Sequence, residues 1–143
     1  SATQYADAFN ARICGKPADQ WIADDAWIAF DFIPTVARRG AAVIAARGRS
    51  SAASAANATI AHVRDWLLGT PGGDWTSMAV VSDGSYGVPA GLVSSFPVRC
   101  CDSEWEIVQG LPLNAFARSR VNVSVDELKS EAEEVKSMGL LPV

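Results

Sequence analysis

The sequence contains few of the side chains from which metal sites are built. Its 143 residues include one histidine, His62, and three cysteines. A lone histidine without partners at ligand spacing cannot form a zinc site, and no C-x-x-C pair is present. Cys100 and Cys101 are neighbours, which pair with each other only in a strained ring. We therefore expect no metal, free thiols and a reducing, intracellular compartment.

Several short enzyme motifs and membrane signals are also missing. The chain has no glycine-rich phosphate loop, no G-x-G-x-x-G dinucleotide turn and no G-x-S-x-G nucleophile elbow. No apolar run approaches the roughly 20 residues that span a bilayer. No charged-then-apolar leader opens the sequence. These absences predict a protein that does not cross a membrane, and they leave the chain without the short motifs typical of nucleotide sites.

Positive charge is in deficit. Twelve lysines and arginines stand against sixteen aspartates and glutamates, which gives a net charge of −4. A nucleic-acid partner requires a basic face that neutralises phosphates, so the charge balance predicts none. The basic residues do cluster locally, with four arginines between Arg38 and Arg49.

The remaining composition is that of a globular chain, 49% hydrophobic and 20% charged, and its length suits one domain with a sizeable core. A first helical pattern begins at Asp24 or Asp25 and ends at Gly48, with Pro34 predicted to kink or split it. A second helix begins at Ser50 or Ser51 and ends at Gly69.

Strand patterns fill the middle of the chain. The segments 75–81, 92–100 and 104–109 are rich in aromatic and β-branched residues, and Pro97 predicts an edge strand or a bulge. A helix follows from Val121 to Met138, with a strand over 121–125 as the competing prediction. Residues 3–14 look extended and are followed by a turn at 15–17. The order helix, helix, three strands, helix predicts an α+β fold with helices packed on a small, mostly antiparallel sheet.

The stretch RGRSSAASAANA, residues 47–58, is either a flexible linker or a tight corner between the two helices. Apolar periodicity continues through it, which favours the corner. A helix start beside Arg49, Ser50 and Ser51 could receive a carboxylate or a phosphate. The alternative is that the two serines only cap the helix while the arginines face water, and the residues alone favour that alternative.

Four segments carry a resemblance to a known family: RRGAAVIAARGRSSAASAANA, HVRDWLLGTP, SDGSYGVPAGLVSSFPV and WEIVQGLPLNAFARSR. In this order they resemble the C-terminal half of NAD-dependent malate dehydrogenases of the cytosolic type, over essentially the whole chain. The resemblance implies that residues 1–143 form the C-terminal substrate domain and that the N-terminal Rossmann domain is absent from this chain. It aligns Ser1 with the serine directly after the family's catalytic histidine, so no catalytic residue is expected within the chain.

The resemblance also implies a function and a site. Ser51, with Ser50 beside it, is expected to lie next to the bound dicarboxylate, while His62 matches a non-catalytic position. The parent enzyme would interconvert malate and oxaloacetate in the cytoplasm as a homodimer, with NAD held mainly by the absent domain. The helix from Ala52 onward would pack in the dimer interface or against that domain. The chain alone is expected to be inactive. The alternatives are a non-enzymatic interaction domain that retains the fold and a related 2-hydroxy acid dehydrogenase.

Overall fold

The computed structural model describes residues 3–140, so the position of Ser1 lies outside the described residues. The backbone divides into two units. The first contains the chain up to Ser51 together with Leu111–Ser124, and the second contains Ala52–Gly110 and the chain from Val125 onward. Each unit is described by itself below.

The first unit is mainly helical. Its elements are a two-stranded hairpin of β1 (Arg12–Ile13) and β2 (Lys16–Pro17), helices α1 (Ala18–Ile22) and α2 (Asp25–Trp27), a π-helical turn (Ile28–Phe32), α3 (Ile33–Arg47) and the start of α5 (Ala115–Ser137). The predicted aspartate cap is confirmed, because the Asp24 carboxylate accepts a hydrogen bond of 2.8 Å from the Trp27 N–H.

The helix is divided beside Pro34, as the proline predicted. In the π-helical turn the Ile33 N–H bonds to the Ile28 carbonyl, five residues earlier. Pro34 then lies in the first turn of α3, where its missing N–H costs least. The glycine prediction is confirmed as well: Gly48 ends α3 with φ of 70°, and its N–H bonds to the Ile44 carbonyl at 2.8 Å.

The N-terminal prediction was wrong in two details. Of the residues 3–14 that were expected to be extended, only β1 is a strand, and the Asp7 carboxylate accepts from the Phe9 and Asn10 N–H groups, so residues 7–10 form a turn. The hairpin turn is Cys14-Gly15, at φ of 50° and 78°, so residues 16 and 17 belong to β2 rather than to the turn. A two-residue hairpin turn of type I′ requires positive φ at both positions, and glycine supplies one of them without strain.

The core of the first unit is small and aromatic. Ala8, Ile28 and Ile33 are buried together. The Phe116 ring, one residue into α5, meets the rings of Tyr5 and Phe9 edge to face, at centroid distances of 6.2 and 6.3 Å.

The second unit is a helix-covered antiparallel sheet. Its elements are α4 (Ala52–Leu68), β3 (Thr76–Val81), a 3-10 turn (Ser85–Gly87), β4 (Val93–Cys101), β5 (Glu104–Ile107) and the part of α5 from Val125. The strand order is β3-β4-β5. Side chains of one sheet face are buried: Met78, Val80, Phe96, Val98, Cys100 and Ile107. The α+β prediction is confirmed, and residues 121–125 are helical rather than extended.

Pro97 is not on an edge strand, which corrects the prediction. It lies in β4, the central strand, opposite Ser77 of β3. The Pro97 carbonyl accepts from the Val108 N–H at 2.9 Å, one residue beyond the end of β5. The N and the C=O of one strand residue point to the same side of the strand. The N of Pro97, which carries no hydrogen, therefore also points to the side where β5 has just ended. The proline is tolerated in a central strand because that side is locally an edge.

Candidate functional site

The predicted site is the short connection between α3 and α4, Arg49-Ser50-Ser51, which we call the serine corner. Gly48 turns the chain out of α3, and α4 begins at Ala52 directly after Ser51. Ser50 is exposed, whereas Ser51 is half-buried. The connection from α3 to α4 is therefore short and most of residues 47–58 are helical, which is unlike a flexible linker, and Ser51 has the more enclosed position of the two serines.

The electrostatics of the serine corner favour an anion. The first N–H groups of an α-helix have no partner within the helix and carry a partial positive charge. No acidic residue lies in the first turn of α4. Arg47 and Arg49 flank the corner and are exposed. Guanidinium groups, hydroxyls and the first N–H groups of α4 thus follow one another along the chain, and each is a donor suited to a carboxylate.

His62 lies on α4 and is half-buried. Its ring meets the ring of Trp66, one turn further along the same helix, edge to face at 6.2 Å. A packing contact with an aromatic neighbour accounts for its position. Within residues 3–140, no group of three or more histidine, cysteine or acidic side chains is arranged to hold a metal ion. The described cysteines Cys14, Cys100 and Cys101 are free thiols.

A dinucleotide does not fit the described residues. Dinucleotide sites are built at the carboxyl ends of parallel strands, with a glycine-rich turn leading into a helix. Every strand pair in the described part of the chain is antiparallel, and the sequence contains no G-x-G-x-x-G motif. No helix within residues 3–140 is both long and apolar enough to cross a membrane.

A groove that the sequence did not predict lies wholly in the first unit. This groove of about 450 Å³ separates α3 from the start of α5, with Arg38 and Arg120 among its lining residues. In the sequence, Arg38 stands out only as part of a basic cluster, and Arg120 precedes the apolar pattern that predicts the last helix. The groove forms from segments about eighty residues apart in sequence, so no local pattern predicted it.

Comparison with known proteins defines the class. Residues 1–138 match the lactate/malate dehydrogenase, alpha/beta C-terminal domain family, and the chain belongs to that family. The match covers both units and all the elements described above.

Individual relatives narrow this class to one branch. Over 141 residues the chain is 57% identical to a malate dehydrogenase of Rhodococcus opacus, covering 99% of this chain and 43% of that protein. The crystal structure of malate dehydrogenase from Naegleria fowleri matches with a TM-score of 0.88 and 47% identity, covering 99% of this chain and 42% of that one. The resemblance to malate dehydrogenase is thereby confirmed.

A lactate dehydrogenase shares the fold at lower identity. The Trichomonas vaginalis enzyme in complex with NADH and oxamate matches with a TM-score of 0.86 and 27% identity, covering 98% of this chain and 44% of that one. The chain therefore spans less than half the length of each of these relatives.

Proposed function

We propose that the chain is the substrate-side domain of an NAD-dependent malate dehydrogenase that interconverts malate and oxaloacetate. The observation that carries the proposal is the 57% identity to a malate dehydrogenase over nearly the whole chain. A lactate dehydrogenase of the same fold is 27% identical, and a malate dehydrogenase of that fold is 16% identical, so the choice of malate rests on the relative at 57%.

Within this function, Ser51 contacts a carboxylate of the dicarboxylic substrate and Ser50 borders the same site. Three features support this assignment: Ser51 is half-buried, it directly precedes α4, and the first turn of α4 has no acidic residue. The helix N-terminus attracts the carboxylate, and the hydroxyl adds a directional hydrogen bond.

Hydride and proton transfer take place on groups outside these 143 residues. The antiparallel sheets do not fit NAD, and the one histidine packs against Trp66. When bound by the rest of the enzyme, NAD supplies the hydride acceptor. The residues of this chain bind and orient the substrate and help to exclude water. The chain alone is accordingly expected to be inactive.

The test compares the isolated chain with a joined protein, in which the chain replaces the matching 43% of the Rhodococcus opacus relative. The absorbance of NADH is followed with oxaloacetate and, separately, with pyruvate. We expect no turnover by the isolated chain, and turnover of oxaloacetate well above that of pyruvate by the joined protein. Turnover by the isolated chain would overturn the proposal. A joined protein that folds and binds NADH but reduces neither substrate would favour a non-enzymatic interaction domain.

We further propose that the enzyme is a cytoplasmic homodimer and that α4 packs in an interface of the assembled enzyme. No residue of α4 is buried, and Ile60, Leu67 and Leu68 are between 56% and 81% exposed. Exposed apolar surface of this kind marks an interaction site. Sedimentation of the joined protein and of its Ile60→Asp variant tests this proposal. We expect the joined protein to be a dimer and the substitution to dissociate it. A monomeric joined protein would contradict the proposal.

A further inference from the structure

The groove between α3 and the start of α5, which we call the arginine groove, has an apolar floor and a cationic side. Phe30, Ile33 and Pro34 line it from the π-helical turn and α3, and Phe116 lines it from α5. Phe30 is 77% exposed, so a large aromatic ring is held in solvent at the groove. Such a surface is stabilised when an apolar group covers it.

Arg120 lines the arginine groove from α5 and carries one unsatisfied donor. Its Nε is buried and has no hydrogen-bond partner among the described residues. Buried donors in folded proteins are nearly always paired, because an unpaired one costs about 1–3 kcal/mol. Because Nε itself is enclosed, an acceptor in the groove would bind the terminal amino groups of the same guanidinium.

Arg38 adds a second guanidinium group on the α3 side. Its Nε donates to the Pro34 carbonyl at 3.2 Å, which holds the side chain along the helix beside the groove. A guanidinium has five N–H donors, so this bond leaves the terminal amino groups for another acceptor. Neither arginine forms an ion pair with another described residue, and no aspartate or glutamate lines the groove.

We propose that the arginine groove binds a small organic carboxylate, with the carboxylate on Arg38 and Arg120 and the apolar body on Phe30, Ile33 and Phe116. Its volume of about 450 Å³ lies in the range of small-molecule sites. The apolar floor disfavours a bare inorganic anion, which gains nothing from it. The proposal is independent of the malate dehydrogenase function, since Ser51 does not line this groove.

The test is a calorimetric and NMR titration of the 143-residue chain with hexanoate, beside hexan-1-ol and acetate. We expect saturable binding of hexanoate to one site, with shifts at Phe30 and Phe116. Removal of either the charge or the apolar body should weaken binding by about tenfold or more. Equal affinity for hexanol, or no hexanoate binding at all, overturns the proposal.

Variants locate the site. Arg120→Gln and Arg38→Gln should each weaken hexanoate binding by about tenfold. The matched control is Arg39, which is exposed and lies beside Arg38 on α3. Arg39→Gln should leave the affinity unchanged. Circular dichroism checks folding, and Arg120→Lys, which keeps the charge, should retain part of the affinity if Arg120→Gln unfolds. Equal affinities of the arginine variants and the control contradict the proposal. The proposal is also contradicted if the variants change the sedimenting mass and no hexanoate binds. The groove would then be a contact between two copies of this chain. Ser51→Ala should not affect this titration, so its outcome is separable from that of the proposed function.

Discussion

The hydroxyl of Tyr86 donates a hydrogen bond to the carbonyl of Val108. In an antiparallel sheet, two residues that form a hydrogen-bonded pair exchange both N–H···O bonds. Val108 gives its N–H to the Pro97 carbonyl, but Pro97 has no N–H to return. The Tyr86 side chain therefore supplies the donor that the proline lacks, and it closes the end of the β4–β5 ladder.

This relationship predicts that the cost of removing the Tyr86 hydroxyl depends on residue 97. In the natural background, Tyr86→Phe leaves the Val108 carbonyl without this donor and should lower the free energy of unfolding by about 1 kcal/mol. In a Pro97→Ala background the new N–H can take over, so the same substitution should cost less. Urea unfolding of the four proteins of this double-mutant cycle measures the coupling. Equal costs in the two backgrounds would show that the hydroxyl does not substitute for the missing N–H.

A close approach between Gly69 and β4 predicts an intolerant glycine. Gly69 has φ of 88°, and a Cβ built on it would lie 3.2 Å from the Cys100 carbonyl oxygen. Gly91 in the same unit has φ of 89° but nothing within 4 Å of such a Cβ. Gly91→Ala should therefore show the cost of the backbone conformation alone, about 1 kcal/mol. Gly69→Ala should lower the free energy of unfolding by about 1 kcal/mol more than Gly91→Ala does, because β4 must move away from the new Cβ.

Urea unfolding of both glycine variants compares the two costs. The result would contradict the structure if Gly69→Ala proved no more destabilising than Gly91→Ala.

The turn between β4 and β5 contains a thiol with a raised pKa, that of Cys101. Cys101 is exposed, and its Sγ lies 3.5 Å from the Asp102 carboxylate, whose hydrogen bond and negative charge raise the pKa of the thiol. A raised pKa means less thiolate at a given pH and slower alkylation. Asp102→Asn removes the charge and should lower that pKa, so alkylation at about pH 8 should become faster. Asparagine is well suited to the φ of 52° at this position.

Peptide mass spectrometry of iodoacetamide-treated protein reports Cys101 separately from Cys14. Glu106→Gln is the matched control, because Glu106 raises the pKa of Cys101 less than Asp102 does. Unchanged or slower alkylation of Cys101 in Asp102→Asn would refute this account of its pKa.

The longer helices and the strands of the second unit were predictable from sequence patterns alone. Long periodic runs predicted α3, α4, the three strands of the second unit and α5, because burial of one face imposes a period that is visible in sequence. Gly48 predicted the end of α3, because its left-handed conformation is a local requirement. The serine corner follows from these two helices, so its place in the fold was predictable.

Features that depend on tertiary contact were not predictable in this way. The penalty of Pro97 in a central strand is removed by the end of β5 and by Tyr86, neither of which is visible from the residues beside the proline. The arginine groove requires Phe116 and Arg120 to approach α3 from a distant part of the sequence. The N-terminal hairpin has strands of two residues each, which are too short to show a period.

The proposed role of Ser51 predicts a selective loss of substrate binding in the joined protein. Ser51→Ala removes a hydrogen bond to a charged group, which is worth about 1.5–3 kcal/mol, so kcat/KM for oxaloacetate should fall by about tenfold or more. Ser50→Ala should cause a smaller loss, because Ser50 is exposed and borders the site. Ser130→Ala, on an exposed position of α5, is the control and should retain the parent kinetics.

Steady-state kinetics with both substrates varied separates this role from a structural one. A contact with the dicarboxylate changes the KM or kcat for oxaloacetate and leaves the KM for NADH unchanged. If Ser51 only caps α4, the variant should lose stability in urea while the kinetic constants of the folded fraction stay the same. Parent-like kinetics for Ser51→Ala, or an equal effect on the KM for NADH, would therefore remove Ser51 from the substrate site and leave it as a helix cap.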